Sequence, residues 1–335
     1  MFQFDAIPPK RLDTQKTILL LDVKARLVAI SRNFRYTVST EEPMNLPMKN
    51  EKVNLTLFQD DDDLKLILGD SRDVLANFDD GLFQCCVTSP PYWGLRDYDV
   101  EDQIGAEDSL GRYIEDLVSI FEEVRRTLKH DGTFWLNIGD SYTSGDRTWR
   151  APDKKNPARA MSYRPPTPER LKPKDLLGIP WRLAFALQEA GWYLRADLVW
   201  HKPNCQPESV KDRPTRAHEY VFLFSKSERY YYDHKAIREP TRDGKGSRNR
   251  RSVWSINTNG FRGAHFAVFP PDLARLCILA GSIPGSIVLD PFLGSGTVAQ
   301  VCLEHSRKCV GIELKPEYAE ITLGRLSKTQ RQFGL

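Results

Sequence analysis

The stretch Thr88-Ser89-Pro90-Pro91-Tyr92-Trp93 decides how the rest of this 335-residue chain is organised. It follows the apolar run 82–87, which predicts a buried strand. The two prolines end that strand because they lack a backbone N–H group and hold φ near about −65°. Ser89 precedes a proline and is therefore pushed into an extended conformation. In open α/β sheets ligands bind where the strands end, so the stretch predicts a stiff corner at a ligand site.

Such a corner can point a serine hydroxyl and fixed carbonyl groups at one amino group. Tyr92 and Trp93 offer flat faces for a planar ring, and a nucleobase is a planar ring that carries an amino group. Ser89-Pro90-Pro91-Tyr92 resembles the catalytic motif of the amino-methyltransferases that modify exocyclic nitrogens of DNA bases. The serine form is similar to the cytosine-N4 branch of that family. By itself the tetrapeptide is also compatible with a simple turn that ends a strand.

A second stretch, Asp290-Pro291-Phe292-Leu293-Gly294-Ser295-Gly296-Thr297, lies between a predicted strand and a predicted helix. Its glycines can adopt positive φ and let a ligand approach the backbone closely. A following strand ends in Glu313, where a carboxylate can accept hydrogen bonds from both hydroxyls of a ribose. No Gly-Lys-Ser/Thr follows, which excludes the phosphate-binding loop of nucleoside triphosphatases. The third glycine of a dinucleotide site is also missing.

This second stretch closely resembles the S-adenosylmethionine loop of the same DNA methyltransferases. The resemblance implies cofactor contacts by a set of residues at the ends of two strands and in the segment before the loop: Asp70, His265, Phe266, Asp290, Phe292, Gly294, Ser295, Gly296, Thr297 and Glu313. For Asp70 a helix N-cap is an equally good interpretation, and Phe292 would also suit ordinary core packing. No metal site is expected.

The order of the two motifs is informative. The catalytic motif near residue 90 precedes the cofactor loop near residue 294, which resembles the β-type arrangement of the family. The resemblance therefore implies an α/β fold with a Rossmann-like S-adenosylmethionine-dependent methyltransferase sheet, circularly permuted, and an inserted DNA-recognition region. Apolar runs at 219–225 and 230–232 predict an antiparallel edge hairpin. Helical periodicity at 110–128 and a turn at Asp131-Gly132 are predicted before a strand at 133–138.

Composition shifts along the chain predict six segments, and their roles are what the resemblance implies. They are an N-terminal arm (1–62), the catalytic half of the methyltransferase domain (63–140), a basic loop suited to DNA contact (141–178), the remainder of the catalytic half (179–234), a basic target-recognition segment (235–262) and the cofactor-binding half (263–335). The resemblance covers residues 64–327 and leaves the N-terminal arm unexplained.

Positive charge is concentrated in two of these segments. Residues 141–178 hold nine basic and four acidic side chains, residues 235–262 hold eight and two, and the whole chain carries only +3. The rest of the chain is therefore net acidic. This asymmetry suits a basic cleft that binds a polyanion such as double-stranded DNA. Two solvated loops are the other interpretation.

Cysteine usage and hydropathy bound the cellular setting. The six cysteines form no Cys-x-x-Cys pair, which predicts reduced thiols in a cytoplasmic protein without a disulfide framework. No apolar stretch reaches the ~18 residues that span a bilayer, and the first residues lack the features of a signal peptide.

The resemblance implies a function. The chain is expected to transfer a methyl group from S-adenosylmethionine to the exocyclic N4 of a flipped cytosine in a specific DNA site, in a restriction-modification system with a separately acting endonuclease. The target amine would bond to Ser89 Oγ and the Pro90 carbonyl, and Tyr92 would stack on the base. Alternatives are an adenine-N6 DNA methyltransferase, disfavoured by serine at position 89, and a nucleic-acid-binding relative without activity.

Overall fold

The computed structural model describes residues 44, 46, 56–60, 62–95, 100, 103–144, 149, 165–258 and 269–333. Most of the predicted N-terminal arm lies outside these residues, as do the predicted cofactor ligands His265 and Phe266. Much of the basic loop 141–178 lies outside them as well.

The described residues form eleven strands and six helices. The strands are β1 (Thr56–Asp60), β2 (Leu64–Leu68), β3 (Phe83–Thr88), β4 (Leu128–Ile138), β5 (Tyr193–His201), β6 (His218–Ser225), β7 (Glu239–Pro240), β8 (Ser247–Arg248), β9 (Val253–Ser255), β10 (Ile287–Asp290) and β11 (Lys308–Glu313). The helices are α1 (Ser71–Ala76), α2 (Leu110–Thr127), α3 (Ile179–Glu189), α4 (Pro271–Gly281), α5 (Thr297–Glu304) and α6 (Pro316–Phe333).

Nine of the strands form one sheet in the order β1-β2-β11-β10-β3-β4-β6-β5-β9. The five strands from β2 to β4 in this order run parallel, so their carboxyl ends meet at one edge, called the carboxyl edge below. Strand β6 is antiparallel to both β4 and β5. The late strand β10 lies between β11 and the early strand β3, so a late and an early part of the sequence are neighbours in the middle of the sheet.

Hydrophobic burial explains the central position of β3. All six of its residues are buried, as expected for a parallel strand with both faces covered. Helix α2 covers one face with apolar residues that recur every three or four positions. Its Phe121 packs on Phe134 of β4 at a centroid distance of 4.7 Å. The corner that follows β3 is therefore held by the rigid core of the protein.

The predicted hairpin is wrong in one of its two strands. Residues 219–225 lie in β6, but residues 230–232 form no strand, and the antiparallel partners of β6 are β4 and β5. The aromatic side chains that predict a strand at 230–232 serve in packing instead. Tyr232 stacks on Trp135 of β4 at 6.3 Å, and the backbone N–H of Tyr231 bonds to the carbonyl of Asp131.

The predicted turn at Asp131-Gly132 is also wrong, because both residues lie inside β4. They fall in an irregular part of the strand. Phe83 pairs with Leu128 and Cys85 pairs with Thr133, so β4 carries extra residues there. Gln84 donates to the side chain of Asp131 at 3.2 Å and helps to hold this bulge.

The described end of the predicted N-terminal arm joins the main sheet. Strand β1 pairs with β2 in antiparallel fashion, and Met44 is buried in the core. The six cysteines are free in this structure, and five of them are buried. Among the described residues no helix could cross a membrane, and no group of three or more metal-binding side chains comes together.

Candidate active site at the carboxyl edge of the sheet

The corner after β3 and the glycine loop after β10 are joined directly. The Thr88 hydroxyl donates to Asp290 Oδ1 at 2.6 Å, and both side chains are buried. A second bond runs from the Ser71 hydroxyl to the carbonyl of Pro291, which ties the start of α1 to the same loop. The predicted catalytic motif and the predicted cofactor loop therefore form one site.

The glycine loop is shaped by backbone conformation and by Glu313. Gly294 and Gly296 have φ of 56° and 75°, in the left-handed region that favours glycine. Glu313 at the end of β11 accepts from the backbone N–H of Gly294 at 2.8 Å and from that of Lys315 at 2.9 Å. The Thr322 hydroxyl donates to the Gly294 carbonyl at 3.0 Å. The loop is held on both sides before any ligand arrives.

Helix α6 supplies a further support that the sequence does not reveal. Arg325 donates to the Thr297 hydroxyl at 2.8 Å and to the Ser295 carbonyl at 3.3 Å. A Cβ atom on Gly296 would come within 2.5 Å of Thr322, so this helix packs directly against the loop. No local pattern marks Arg325, because its partners lie about thirty residues away.

Two acidic groups in the loop region have raised pKa values. Burial raises the pKa of Asp290 to about 7, although bonds from Thr88 and the Phe292 N–H oppose the shift. Burial also raises the pKa of Glu313 to about 7, against the backbone N–H groups of Lys315 and Gly294, and the charge of Asp290 adds to this rise. Titratable groups perturbed by burial are characteristic of functional sites.

Asp70 is the N-cap of α1. Its carboxylate accepts from the Arg72 backbone N–H at 2.8 Å and pairs with the Arg72 guanidinium at 2.6 Å. Burial works to raise the pKa of Asp70, but the bonds from Arg72 outweigh it and leave the pKa lowered. The capping interpretation is confirmed. The contact between Asp70 and adenine stays a prediction. Its position suits that role, because the N–H of the preceding Gly69 bonds to the Glu313 carbonyl and so holds Asp70 beside Glu313.

The residues of the loop fit S-adenosylmethionine. A carboxylate has about four acceptor sites, so Glu313 can still accept from ribose hydroxyls after its two backbone bonds. Among the described residues, a Cβ built on Gly294 would meet no atom closer than 3.9 Å, so these residues leave that side of the loop open to a ligand. The ring of Phe292 is only partly buried and touches Phe121 edge-on at 6.4 Å. The cofactor contacts of individual residues stay predictions.

The predicted catalytic corner, Ser89-Pro90-Pro91-Tyr92, is called the catalytic corner below and is fixed by contacts with its neighbours. Tyr113 of α2 donates its hydroxyl to the Pro91 carbonyl at 2.8 Å, and the Trp93 indole donates to the Glu107 carbonyl at 2.9 Å. Pro90 is buried and Ser89 is half-buried. The corner therefore presents Ser89 and the neighbouring carbonyls from a rigid backbone.

Glu219, at the start of β6, is a member of the site that the sequence analysis misses. Its carboxylate accepts from the Tyr92 hydroxyl at 2.8 Å and from the Asn137 amide at 3.1 Å. Lys202, which follows β5, forms an ion pair with the other oxygen of Glu219. Tyr92 in turn lies 3.5 Å from the Ser89 hydroxyl. Burial raises the pKa of Tyr92 well above its ordinary value, with Glu219 adding to the rise, so the phenol keeps its proton.

Basic side chains approach the same edge from the loop between β5 and β6. Arg213 lies over the Tyr142 ring at 3.8 Å, and Arg216 pairs with Asp140 at 3.7 Å. Asp140 follows β4 and accepts from the backbone N–H of Ile179 at the start of α3. Burial raises the pKa of Asp140, and the neighbouring N–H groups and Arg216 oppose the shift. This loop adds to the basic segments that the sequence predicts.

Comparison with family models and curated proteins places the chain among known sequences. A family model described as DNA methylase matches residues 83–323. The type II methyltransferase M.SmaI of Serratia marcescens is 62% identical over 288 residues, which are 83% of this chain and 99% of that protein. The type II methyltransferase M.Cfr9I of Citrobacter freundii is 62% identical over 261 residues, 78% of this chain and 87% of that protein.

Solved structures share the fold at lower identity. The cytosine-N4-specific PvuII DNA methyltransferase superposes with a TM-score of 0.59 at 22% identity, over 81% of this chain and 92% of that one. A candidate DNA modification methylase from Thermus thermophilus, solved with S-adenosyl-L-methionine, gives a TM-score of 0.54 at 23% identity, over 80% and 93% of the two chains.

Proposed function

Because the chain belongs to the DNA methylase family, we propose that it methylates the exocyclic N4 of a cytosine that has been extruded from double-stranded DNA. Serine at the first position of the Ser-Pro-Pro-Tyr corner is the single observation that carries this choice of base. A target inside a duplex cannot be reached by such a corner, so the base has to leave the stack.

S-adenosylmethionine, the cofactor predicted from the sequence, supplies a methyl group that is already electrophilic because it is bound to a sulfonium. The chain mainly has to align donor and acceptor, and the fixed pairing of β10 with β3 supports that role. We propose that Glu313 accepts hydrogen bonds from the ribose hydroxyls and that Asp70 accepts one from the adenine amine. Gly294 would let the cofactor approach the backbone closely. Contacts by His265 and Phe266 belong to the same proposal.

The amine of cytosine is a poor nucleophile, since its lone pair is delocalised into the ring. In this proposal Ser89 Oγ and the Pro90 carbonyl accept its two N–H groups and favour a tetrahedral nitrogen with an available lone pair. Tyr92 presents its ring to the extruded base. Ser89 is a weak base, so we propose that it positions the amine and does not deprotonate it. The methylated nitrogen then loses its proton after methyl transfer.

We further propose that the protein protects one specific DNA sequence from a separately acting restriction endonuclease. The support is that M.SmaI and M.Cfr9I, to which 78–83% of this chain aligns, are type II methyltransferases. The basic segments 141–178 and 235–262, together with the loop that carries Arg213 and Arg216, would contact phosphates and base edges.

The product identifies the base. DNA treated with the protein and isotope-labelled S-adenosylmethionine is digested to nucleosides. These are separated by chromatography beside authentic standards and identified by mass spectrometry. Chromatography is needed because N4-methyldeoxycytidine and 5-methyldeoxycytidine have the same mass. We expect N4-methyldeoxycytidine. Labelled N6-methyldeoxyadenosine would replace this proposal with the adenine alternative, and DNA that binds without gaining label would support a non-catalytic relative.

A further inference from the structure

Glu219 of β6, Asn137 of β4 and Lys202, which follows β5, form a cluster beside the catalytic corner. Building on the proposed cytosine-N4 function, we propose that Glu219 is a positioning residue that acts through Tyr92. It sets the direction of a hydrogen-bond chain so that Ser89 presents its oxygen lone pairs, and not its proton, to the target amine.

The direction of these hydrogen bonds follows from which groups of Ser89, Tyr92 and Glu219 can donate and which can accept. An ionised carboxylate can only accept hydrogen bonds, so Tyr92 must donate its single hydroxyl proton to Glu219, across 2.8 Å. The Tyr92 oxygen is then available to accept the Ser89 proton, across 3.5 Å in this structure. The Ser89 oxygen is left with lone pairs for an incoming N–H group. A 3.5 Å separation is long for a hydroxyl pair, and catalytic bonds commonly tighten when substrate binds.

The opposite direction would be unproductive. If the group at position 219 could donate, Tyr92 could accept from it and donate to Ser89, which would then point its own proton at the amine. Two donors would face each other where the reaction needs one acceptor. A hydroxyl group can rotate to donate in either direction, so the negative charge of Glu219 sets the direction of the hydrogen bonds through Tyr92 and Ser89.

The surroundings of Glu219 keep its acceptor role. The Lys202 ammonium and the Asn137 amide both donate to Glu219. A hydrogen-bond donor at position 219 would leave both of these groups without an acceptor there. The Asn137 amide also donates to the Tyr220 carbonyl at 3.1 Å, which fixes its orientation. Lys202 lies 4.3 Å above the Trp200 ring. His218 is next to Glu219 in sequence, and desolvation lowers the pKa of this histidine.

A purely structural role for Glu219 would look different in experiments. Glu219 holds the Tyr92 ring by its hydroxyl, so a structural role predicts weaker stacking of the extruded base and weaker DNA binding. The proposed role predicts a slower chemical step with binding preserved. The two therefore separate in a comparison of single-turnover rate with affinity.

The test is a double-mutant cycle of Glu219→Gln and Tyr92→Phe on the full chain. Single-turnover methylation is measured on a duplex that contains the recognition site, mapped first by sequencing DNA treated with the wild-type protein. We expect each single variant to slow the reaction by on the order of 10- to 100-fold, the size of effect seen when an outer partner that orients a metal ligand is lost. The double variant should be no slower than Tyr92→Phe alone, because Glu219 acts only through that hydroxyl.

Other measurements complete the design. The melting temperature should not change, and the affinities for S-adenosylmethionine, measured by calorimetry, and for DNA should stay within about twofold of wild type. Glu123→Gln, which removes a carboxylate paired with Arg126 on α2, is the matched control and should keep the wild-type rate.

Additive losses in the double variant, or losses confined to DNA affinity, would overturn the inference. Tyr92→Phe keeps the ring and its packing, so a wild-type rate in this variant alone would also overturn it even if Glu219→Gln does not fold. The wild-type product in the same assay reports separately on the cytosine-N4 proposal.

Discussion

The hydroxyl of Thr88 donates a 2.6 Å hydrogen bond to the carboxylate of Asp290, across 202 positions of sequence. One partner ends the strand before the catalytic corner, and the other begins the glycine loop. The bond lies at the point where β3 and β10 run side by side. The proposed substrate and cofactor sites therefore share a buried polar contact, and we expect their relative position to depend on it.

Replacing Thr88 by valine tests this contact. Thr88→Val keeps the shape of the side chain and, among the described residues, leaves the buried Asp290 carboxyl group bonded to the N–H of Phe292 alone. The loss of one partner of a buried polar group costs about 1–3 kcal/mol, so we expect a lower melting temperature and weaker S-adenosylmethionine binding. Thr133→Val is the control, since among the described residues that buried hydroxyl makes just a weak 3.7 Å contact with the Cys85 sulfur. Equal effects of the two substitutions would contradict the assignment.

Ser89→Ala removes the proposed acceptor for the target amine. We expect turnover to fall by on the order of 100-fold or more, as when one preorganised hydrogen-bonding group is lost from an active site. Cofactor affinity, measured by calorimetry, should persist because Ser89 lies outside the glycine loop. Ser225→Ala provides the comparison, because that buried hydroxyl bonds to the Ser227 carbonyl at the opposite end of β6. Turnover near that of wild type in Ser89→Ala would remove serine from the mechanism.

Cofactor affinity should rise with pH through about 7. The pKa of Glu313 is raised to about 7, so a falling pH protonates the carboxylate that we assign to the ribose hydroxyls. Below that pKa the affinity should fall, by up to about tenfold per pH unit. Calorimetric titrations between about pH 6 and pH 8 follow this change. Glu313→Gln should bind more weakly and show a flatter profile, and an unchanged slope in this variant would assign the titration to another group such as Asp290.

The unliganded protein should show the opposite trend in stability. A carboxyl group whose pKa is raised on folding binds its proton more tightly in the folded than in the unfolded state. The stability that Glu313 contributes is therefore fully present below its ordinary pKa of 4.5 and is lost as pH rises to about 7. Asp290, with a pKa also raised to about 7, adds to the same trend. Denaturation of the unliganded protein across this range should show falling stability where cofactor affinity rises.

The sequence predicts the centre of the sheet well because two motifs locate β3 and β10, and the polar ends of neighbouring strands place Glu313 and Asp70. It does not predict Glu219. That residue opens an apolar strand and contacts Tyr92 across 127 positions, through an antiparallel neighbour of β4 that no local pattern specifies. The aromatic run at 230–232 misleads for a related reason, because β-propensity reflects packing on a sheet surface as much as strand formation.

Gly139→Ala tests the tight fit behind the Tyr92 ring. A Cβ atom on Gly139 would lie 2.7 Å from Cε2 of Tyr92 and 3.2 Å from Cδ of Glu219, so the tyrosine ring has to move. We expect turnover to fall by on the order of tenfold or more, since small displacements of catalytic groups are costly. Cofactor affinity should not change. In Gly111→Ala on α2 the new Cβ meets no atom of the described residues within 4 Å, and the change should be neutral or stabilising by about 0.5–1 kcal/mol. Wild-type turnover in Gly139→Ala would show that the ring tolerates displacement.

The exposed turn between β7 and β8 is suited to a phosphate contact. Its shape is fixed from within, because Thr241 Oγ1 bonds to Asp243 at 2.6 Å and accepts from the Gly246 N–H at 3.0 Å. Lys245 is exposed on this preformed turn. If Lys245 contacts one DNA phosphate, Lys245→Gln should reduce the slope of log affinity against log salt by about 0.9. Lys129→Gln, at the exposed start of β4, should leave the slope unchanged. Binding titrations at several salt concentrations measure both, and equal slopes for wild type and Lys245→Gln would place the turn outside the DNA interface.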